Sequence, residues 1–330
     1  MDIAKGLGII AVVLGHVLAD DKESSLSQAL VHTIYSFHMP LFFLLAGYTL
    51  KPENLSSFAW RRGLALGVPY LLFLVMLGLP SLAVSCAAGP IPLFGIGQCK
   101  TFAFRLLAGG SSIGGIFSVF WFIPCLFFAM LIAQAVLATA RKTRLWPLLL
   151  GLLYVVAYLL PLALPVSTAV LAIGVAPLAS IFVLAGYGLR HADQHGLMSP
   201  AWTSLALVGI AAAIVPQTID MKYGHFGLPV IGLVASLSLS FAFILAARML
   251  TVTGRLSRAL SWIGNRSLVV MYLHQTIHYG LQAAGLQNAV IVTLISLVIP
   301  LVVADAVMWI IKTLTRFIED HIHFHQGHIR

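Results

Sequence analysis

Charged side chains are scarce in this chain: only 9% of its 330 residues are Asp, Glu, Lys or Arg, whereas 60% are hydrophobic. The mean hydropathy is +1.00. A soluble domain of this size has too little interior to bury so much apolar surface. The composition therefore excludes a soluble protein and predicts an all-α, polytopic integral membrane protein surrounded by the lipid bilayer.

The sequence also lacks the motifs of several common functions. Its three cysteines include no Cys-x-x-Cys pair, and the glycine-rich run at 109–115 does not have the spacing of a nucleotide-phosphate loop. The formal charge is +9, but no basic run is interleaved with aromatic residues. We therefore expect no metal site, no redox framework and no nucleic-acid partner.

Apolar segments long enough to cross the ~30 Å hydrocarbon core of a bilayer recur along the chain. Ten crossings place both termini on the same side of the membrane. If that side is cytoplasmic, the inner termini and loops hold 15 of the 19 Lys and Arg residues, in agreement with the positive-inside rule. No clear cleavage site follows the first span, so we expect it to remain in the mature protein. The predicted spans are 3–20, 33–50, 63–85, 117–139, 146–164, 168–189, 202–219, 227–249, 267–284 and 289–313.

Two segments differ from this pattern. Residues 86–116 form a long outer connection, which is either a re-entrant element or lid, or a flexible connector. Cys86 and Cys99 lie on this outer side, where a disulfide is chemically allowed. Residues 318–330 follow the single transmembrane domain of 1–317 as a cytoplasmic tail. The histidines of this tail, which suggest at most adventitious metal binding, are His321, His323, His325 and His328.

Lys5 and His16 lie on one face of the first predicted span. Eleven residues at about 100° each return to within about 20° of the same direction, and they separate the two side chains by about 16 Å along the helix axis. Ionisable groups at membrane depth are costly unless they face a protein interior or a hydrated cavity. The pair therefore indicates a functional path. The alternative is that Lys5 only anchors the span and His16 only joins two helices by a hydrogen bond.

A second histidine is predicted at a similar depth. The second span enters from outside, so His38 lies about 7 Å below the outer rim, whereas His16 lies about 10 Å below it. The two imidazoles thus fall on consecutive helices that we expect to be adjacent. Pro40 allows the second helix to open locally, and Gly47 allows close packing, as suits a site between helices.

The last two spans add further polar side chains. Tyr272, His274, Gln275 and His278 lie in the ninth span, where the two histidines share one face. They are either a metal-ligand pair without a third ligand or hydrogen-bonded packing residues. Asp305 is the acid expected deep in the bilayer, and it must be neutral, hydrated or paired with a histidine or with Arg266.

Charged residues at the inner ends of the spans suggest a phosphate site. Asp2 and Lys5 are three residues apart and can pair on one helix side. Arg61 and Arg62 precede the third span on the same side of the membrane. Together they form a cationic mouth in which arginines offer two-pronged contacts and lysine a point charge. The alternative is ordinary loop charge.

These residues resemble the membrane-bound acyltransferase-3 family, and most closely its fucose 4-O-acetylase-like branch. The first two spans carry the most specific part of the likeness. One departure is that the family often has Arg-x-x-Arg before the third span, whereas Ala65 stands three residues after Arg62. The motifs that carry the resemblance are Asp2-x-x-Lys5-Gly6, Lys5-x10-His16, Phe37-His38-Met39-Pro40-Leu41-Phe42-Phe43, Arg61-Arg62 before Pro69-Tyr70, Trp121-Phe122-Ile123-Pro124 and Leu273-His274-Gln275.

The resemblance implies a ten-helix enzyme that moves an acyl group, commonly acetyl from cytoplasmic acetyl-CoA, to a hydroxyl of a sugar. It maps the family's catalytic histidine onto His16. The predicted catalytic residues are His16 and His38. The predicted donor-binding residues are Asp2, Lys5, Arg61 and Arg62. The residues predicted to bind substrate or support the site are Trp121, Tyr272, His274, Gln275 and Asp305.

We therefore predict an O-acetyltransferase of a bacterial inner membrane, with acetyl-CoA as donor and a carbohydrate as acceptor. A neutral His16 would act either as the general base toward the acceptor hydroxyl or as a nucleophile that forms an acyl-histidine. Two other classes of function use the same residues differently. A proton-coupled transporter would use the histidines as a relay, and a structural or receptor protein would only satisfy them by hydrogen bonds.

Overall fold

The computed structural model of the chain describes residues 1–21, 23–140, 146–163, 170–195, 219–250 and 254–327. These ranges are predominantly helical, so the prediction of an all-α protein is confirmed. Their α-helices are α1 (Asp2–Leu18), α2 (Ser25–Tyr48), α3 (Leu55–Ala88), α4 (Cys99–Ala108), α5 (Phe122–Ala140), α6 (Trp146–Ala163), α7 (Ala176–Gln194), α8 (Ile231–Met249), α9 (Gly254–Asn265), α10 (Ser267–Ala283) and α11 (Ala289–Gly327).

Six helical segments of the described chain are long and apolar enough to cross a membrane. The helices α1 and α10 have 17 residues each, at the lower limit of a span. The predicted span at 202–219 lies outside the described residues, except for Ile219. An integral membrane protein is confirmed, whereas the count of ten spans stays a prediction. The six segments are Ser25–Tyr48, Leu55–Ala88, Gly115–Ala140, Val170–Gln194, Ile231–Met249 and Ala289–Trp309.

Several helices extend beyond the predicted spans. Helix α2 begins at Ser25, because the Ser24 side chain caps it by accepting a hydrogen bond from the Ser27 backbone N–H. Helix α3 has 34 residues, about 50 Å at 1.5 Å per residue, and must project out of the bilayer. Helix α11 continues to Gly327, so the backbone of the predicted tail prolongs the last helix.

Helix α9 lies between the predicted spans 227–249 and 267–284, in a connection that the predicted orientation places on the inner side. It is amphipathic: Arg255 and Arg258 are exposed, whereas Leu260 is buried against α1. A Cβ at Gly6 of α1 would overlap the carbonyl oxygen of Leu260, so the two helices touch backbone to backbone. This contact holds the N-terminal end of α1 beside the start of α10.

Helices α2 and α7 cross in the same way. A Cβ at Gly47 would overlap the carbonyl oxygen of Val183, and one at Gly186 would overlap that of Leu44. The close packing predicted for Gly47 is therefore confirmed. It fixes the inner half of α2, while the outer half, beyond Pro40, faces a cavity.

Two segments, which are hydrogen-bonded to each other, cover the helix ends that the positive-inside rule assigns to the outer side. The first, 86–117, contains the Cys86–Cys99 disulfide, α4 and three short 3-10 turns. The second is a hairpin in which β1 (Ile219–Asp220) pairs antiparallel with β2 (His225–Phe226), Asp220 opposite His225. Two hydrogen bonds of 2.7 Å join the segments: Ser111 Oγ donates to the Lys222 carbonyl, and Lys222 Nζ donates to the Ile113 carbonyl. We call the segment 86–117 the outer cover; its role as a re-entrant element or lid, or as a connector, stays a prediction.

Candidate active site

A cavity of about 220 Å³ lies between α1, α2, α5 and α10 beneath the outer cover. Its floor follows α1, where Ile9, Val12 and His16 line it in succession. These residues stand four, seven and eleven positions after Lys5, which is the spacing of one helix face. The cavity therefore runs along the predicted Lys5–His16 face, from His16 inward as far as Ile9.

Three imidazoles from three helices meet beside this cavity. The His16 ring centroid lies 6.4 Å from that of His38 on α2 and 5.3 Å from that of His274 on α10. The predicted meeting of His16 and His38 is thus confirmed, and His274 joins them. His16 is partly accessible through the cavity, whereas His38 and His274 are buried. The catalytic roles of these residues stay predictions.

Backbone hydrogen bonds fix the tautomers of two of these histidines. Nδ1 of His38 lies 2.9 Å from the Ile34 carbonyl oxygen, and Nδ1 of His274 lies 2.9 Å from that of Val270. A carbonyl oxygen only accepts, so each Nδ1 carries a hydrogen and each neutral ring presents a lone pair at Nε2. Nε2 of His274 is buried without a hydrogen-bond partner. In the neutral state both rings can take a proton, but neither can donate to an oxyanion through Nε2.

Tyr35 is a member of the site that the sequence analysis missed. Its hydroxyl lies 3.2 Å from Nδ1 of His16, and its ring centroid lies 4.9 Å from that of His38. When Nδ1–H of His16 donates to the Tyr35 oxygen, Nε2 of His16 is left with its lone pair and can act as a base. The available signal was position, because Tyr35 stands one helical turn before His38 on the same face of α2.

An acid and a histidine pair at the outer end of the cavity. Asp20, just after α1, lines the cavity, and its Oδ2 lies 3.1 Å from Nε2 of His278 on α10. This contact engages Nε2 of His278, whereas its Nδ1 is buried without a hydrogen-bond partner. In the described part of the chain, no three His, Cys, Asp or Glu residues are arranged to hold a metal ion.

Lys222 of the hairpin also lines the cavity. Only 6% of the residue is exposed, and burial lowers the pKa of its ammonium to about 8, an effect that the charge of Asp220 opposes. Burial in turn raises the pKa of Asp220. Lys222 is not among the predicted site residues, because it lies in the loop between the predicted spans 202–219 and 227–249. The signal was that it is one of few outer cations in a chain that otherwise follows the positive-inside rule.

Comparison with known proteins gives the activity class of the chain. The model of the acyltransferase-3 family, described as an acyltransferase domain, matches residues 1–309. The chain belongs to this family. No curated protein and no solved structure matches it. The predicted likeness to the fucose 4-O-acetylase-like branch stays a prediction.

The remaining predicted residues of this membrane acyltransferase lie in different surroundings. Trp121 and Gln275 line the cavity beside His16 and His38, which we call the histidine cavity. Tyr272 does not line it, because its ring stacks on Phe73 at 4.5 Å in the aromatic core. Asp305 accepts a 2.6 Å hydrogen bond from Nε of Arg266 at the start of α10, on the Lys5 side and away from the histidines. Of the partners considered for Asp305, the structure selects Arg266.

The predicted donor-binding residues of the acyltransferase lie outside the cavity. Lys5 pairs with Asp2 at 3.1 Å, so part of its charge is neutralised within α1. Arg61 pairs with Glu53. None of the predicted donor-binding residues lines the cavity that contains His16. The cavity extends inward only to Ile9, so a continuous route from these charges to the histidines stays a prediction.

Arg62 is the member of this set with unused hydrogen-bonding capacity. Its guanidinium carbon lies 5.9 Å from the centre of the Phe58 ring, and its Nε is buried without a hydrogen-bond partner. Arg61, its neighbour in sequence, is exposed and ion-paired. The two adjacent arginines therefore differ in environment.

Proposed function

We propose that this acyltransferase is an O-acetyltransferase of a bacterial inner membrane, which moves acetyl from cytoplasmic acetyl-CoA to a hydroxyl of a carbohydrate on the outer side. The observation that carries the proposal is the histidine cavity, which begins beneath the outer cover and follows the Lys5 face of α1 inward. Such a cavity suits a donor that reaches up from inside and an acceptor that enters from outside.

His16 is the base in this proposal. Its Nε2 takes the proton of the acceptor hydroxyl while that oxygen attacks the thioester carbonyl carbon, which gives a tetrahedral oxyanion. Collapse of this intermediate breaks the C–S bond, and the thiolate recovers the proton from His16. Tyr35 holds the imidazole through Nδ1, in the way that a partner on the second nitrogen orients a catalytic histidine.

The donor for the oxyanion must come from other residues than the neutral His38 and His274. The side-chain amide of Gln275 lines the cavity and carries two N–H groups. We assign the oxyanion contact to this amide. Gln275 stands next to His274 on α10, so the helix that places the third imidazole also brings this donor to the cavity.

The two-step route through an acyl-histidine uses the same residues in another order. His16 would attack the thioester through Nε2 and release CoA, and a second base would then deprotonate the acceptor. Nε2 of His38 presents a lone pair within the same cavity and suits that role. A pre-steady-state burst of free CoA from acetyl-CoA without acceptor separates the routes, because only the acyl-histidine route releases CoA before the acceptor reacts.

The donor's phosphates would bind at the inner end, where Lys5 and Arg62 carry positive charge. The pantetheine arm would then follow Ile9 and Val12 to His16. The distance from Lys5 to His16 is about 16 Å along the helix axis, which an extended arm of this kind can span. The thioester would thus reach the histidines while the nucleotide stays on the cytoplasmic side.

The test uses purified protein in sealed, oriented proteoliposomes. Radiolabelled acetyl-CoA is supplied on the Lys5 side, and a panel of methyl glycosides is supplied on the other side. We expect labelled ester on the acceptor side from the wild type and none from His16→Ala. His32→Ala, which changes a histidine outside the cavity, is the matched control and should stay active. Transfer only when both substrates share one compartment would contradict the through-membrane proposal.

A further inference from the structure

Lys222 is a buried cation whose hydrogen-bonding capacity is largely unused. An ammonium has three N–H donors, and the described contacts of Nζ are one hydrogen bond to the Ile113 carbonyl and the Tyr223 ring at 5.1 Å. No carboxylate of the described residues forms an ion pair with it. Burying such a charge is expensive unless it is paired. The fold therefore keeps a buried ammonium at the cavity, and the described residues use only part of its hydrogen-bonding capacity.

The acids nearby are already engaged by the protein. Asp20 contacts Nε2 of His278. Oδ1 of Asp220 accepts a 3.1 Å hydrogen bond from the Lys222 backbone N–H, which turns the Asp220 side chain toward the backbone of the hairpin. Neither carboxylate closes on the Lys222 ammonium. A negatively charged hydrogen-bond acceptor would therefore satisfy the Lys222 ammonium at this end of the cavity.

Position makes this end accessible to the acceptor rather than to the nucleotide. Lys222 belongs to the outer hairpin, and its partner Ile113 belongs to the outer cover. Lys5, on which the donor site is proposed, lies at the opposite end of α1 from His16. A ligand at Lys222 therefore approaches the histidines from the side opposite to the donor.

We propose that Lys222 forms an anion subsite of the acceptor site and that the acceptor carbohydrate carries a carboxylate or a phosphate ester, which this ammonium binds. This inference rests on the proposed function, because it takes the outer occupant of the cavity to be the acceptor. The anion would accept the spare N–H bonds of Lys222, and a hydroxyl of the same sugar would then point inward to His16.

Binding to matched probes tests the subsite without turnover. The probes are methyl β-D-glucuronide, its neutral counterpart methyl β-D-glucoside, glucose 6-phosphate and CoA, each titrated into the purified protein in nanodiscs at pH 7. A charge-assisted hydrogen bond corresponds to a difference on the order of tenfold in affinity. We expect at least one of the two anionic sugars to bind about tenfold more tightly than the glucoside. Which of them does so distinguishes a carboxylate from a phosphate.

Variants then assign the preference to Lys222. Lys222→Met should reduce the difference to less than about twofold, and Lys222→Arg should retain it. Ser111→Ala is the matched control, because it removes the other hydrogen bond between the cover and the hairpin and leaves the charge in place. It should keep the preference for the anionic sugar. Loss of preference in Ser111→Ala as well would show that closure of the cover, and not the cation, is responsible.

The wild type alone can overturn the inference, so a variant that fails to fold does not rescue it. Equal affinity for the anionic sugars and the glucoside at pH 7 would refute the anion subsite. Weakened binding of CoA in Lys222→Met, with sugar binding unchanged, would assign Lys222 to the donor and also refute it. An intact anion preference without acetyl transfer to any sugar would instead contradict the proposed function.

Discussion

The imidazole of His16 on α1 lies 5.3 Å from that of His274 on α10, measured between ring centroids. The first helix and a late helix thus contribute to one cluster. This cluster brings together the first and the last of the motifs that carry the family resemblance. Since Nδ1 of His274 is held by its own helix, its Nε2 offers only a lone pair to this cluster while the ring is neutral.

The first prediction concerns His16. His16→Ala should lower kcat by a factor on the order of 10²–10⁴, the usual contribution of a positioned general base, and should leave the affinity for CoA nearly unchanged. Steady-state kinetics and calorimetry with CoA measure the two quantities. His32→Ala should behave like the wild type. Near-normal turnover of His16→Ala would remove His16 from the mechanism.

The second prediction concerns Tyr35 as a positioning residue. Tyr35→Phe removes the hydroxyl that lies 3.2 Å from Nδ1 of His16 and retains the ring. We expect kcat to fall about tenfold, as for the loss of one hydrogen bond, and the pH–rate profile to shift, because the preferred tautomer of His16 changes. Tyr154→Phe, whose hydroxyl accepts a bond from the Val230 backbone N–H, is the control. A purely structural role of Tyr35 would lower thermal stability and leave the pH profile unmoved.

Much of this arrangement follows from periodicity. The Lys5–His16 face is a property of any regular helix, so Ile9 and Val12 fall along it once α1 forms. The depth of His38 follows equally from helix rise and from the orientation that the arginines set. Hydropathy and helix geometry thus predict the long apolar helices and the proximity of the two central histidines, but not α4, α9 or the hairpin.

The rest depends on contacts between distant segments. Tyr35 and Asp20 become site residues only because α1, α2 and α10 pack with their outer ends together. From the sequence alone, Lys222 is an ordinary loop charge. It lines the cavity because hydrogen bonds to Ser111 and Ile113 hold the hairpin there. Tyr272 and His274 both flank Leu273, yet Tyr272 stacks on Phe73 in the aromatic core, whereas His274 faces His16. No period in a single segment encodes such long-range choices.

The third prediction separates donor binding from chemistry. Lys5→Met should raise the KM for acetyl-CoA more than it lowers kcat, because a phosphate contact is equally present in the ground and transition states. Asp2→Asn frees Lys5 from its 3.1 Å pair and should keep the donor KM equal to or below the wild-type value. Arg62→Met should raise the donor KM more than Arg61→Met. An unchanged CoA affinity in all these variants would rule out the inner phosphate site.

The fourth prediction is a pH dependence of acceptor binding. Lys222 has a pKa of about 8, so its positive charge is present below that pH and is lost as the pH rises through it. The KM for an acidic acceptor should therefore rise above about pH 8, while that for a neutral sugar should stay level. The other titratable groups near Lys222 are Asp220, Tyr223 and His225 of the hairpin and, across the cavity, His16. Burial raises the pKa of Tyr223, so it stays neutral in this range. The Lys222→Met variant should show no such rise.

The fifth prediction tests the crossing that positions α2. A Cβ at Gly47 would overlap the carbonyl oxygen of Val183, so Gly47→Ala must push α2 and α7 apart or strain both. Overpacking of this kind costs about 1–3 kcal/mol, and we expect a lower unfolding temperature in detergent together with reduced turnover, because the outer half of the same helix carries Tyr35 and His38.

Gly67→Ala is the matched control, since a Cβ there meets no atom within 4 Å. Replacing this helical glycine should be neutral or stabilising by up to about 1 kcal/mol. Equal stability of the two variants would mean that the crossing is looser than a backbone contact and that α2 is positioned by other means.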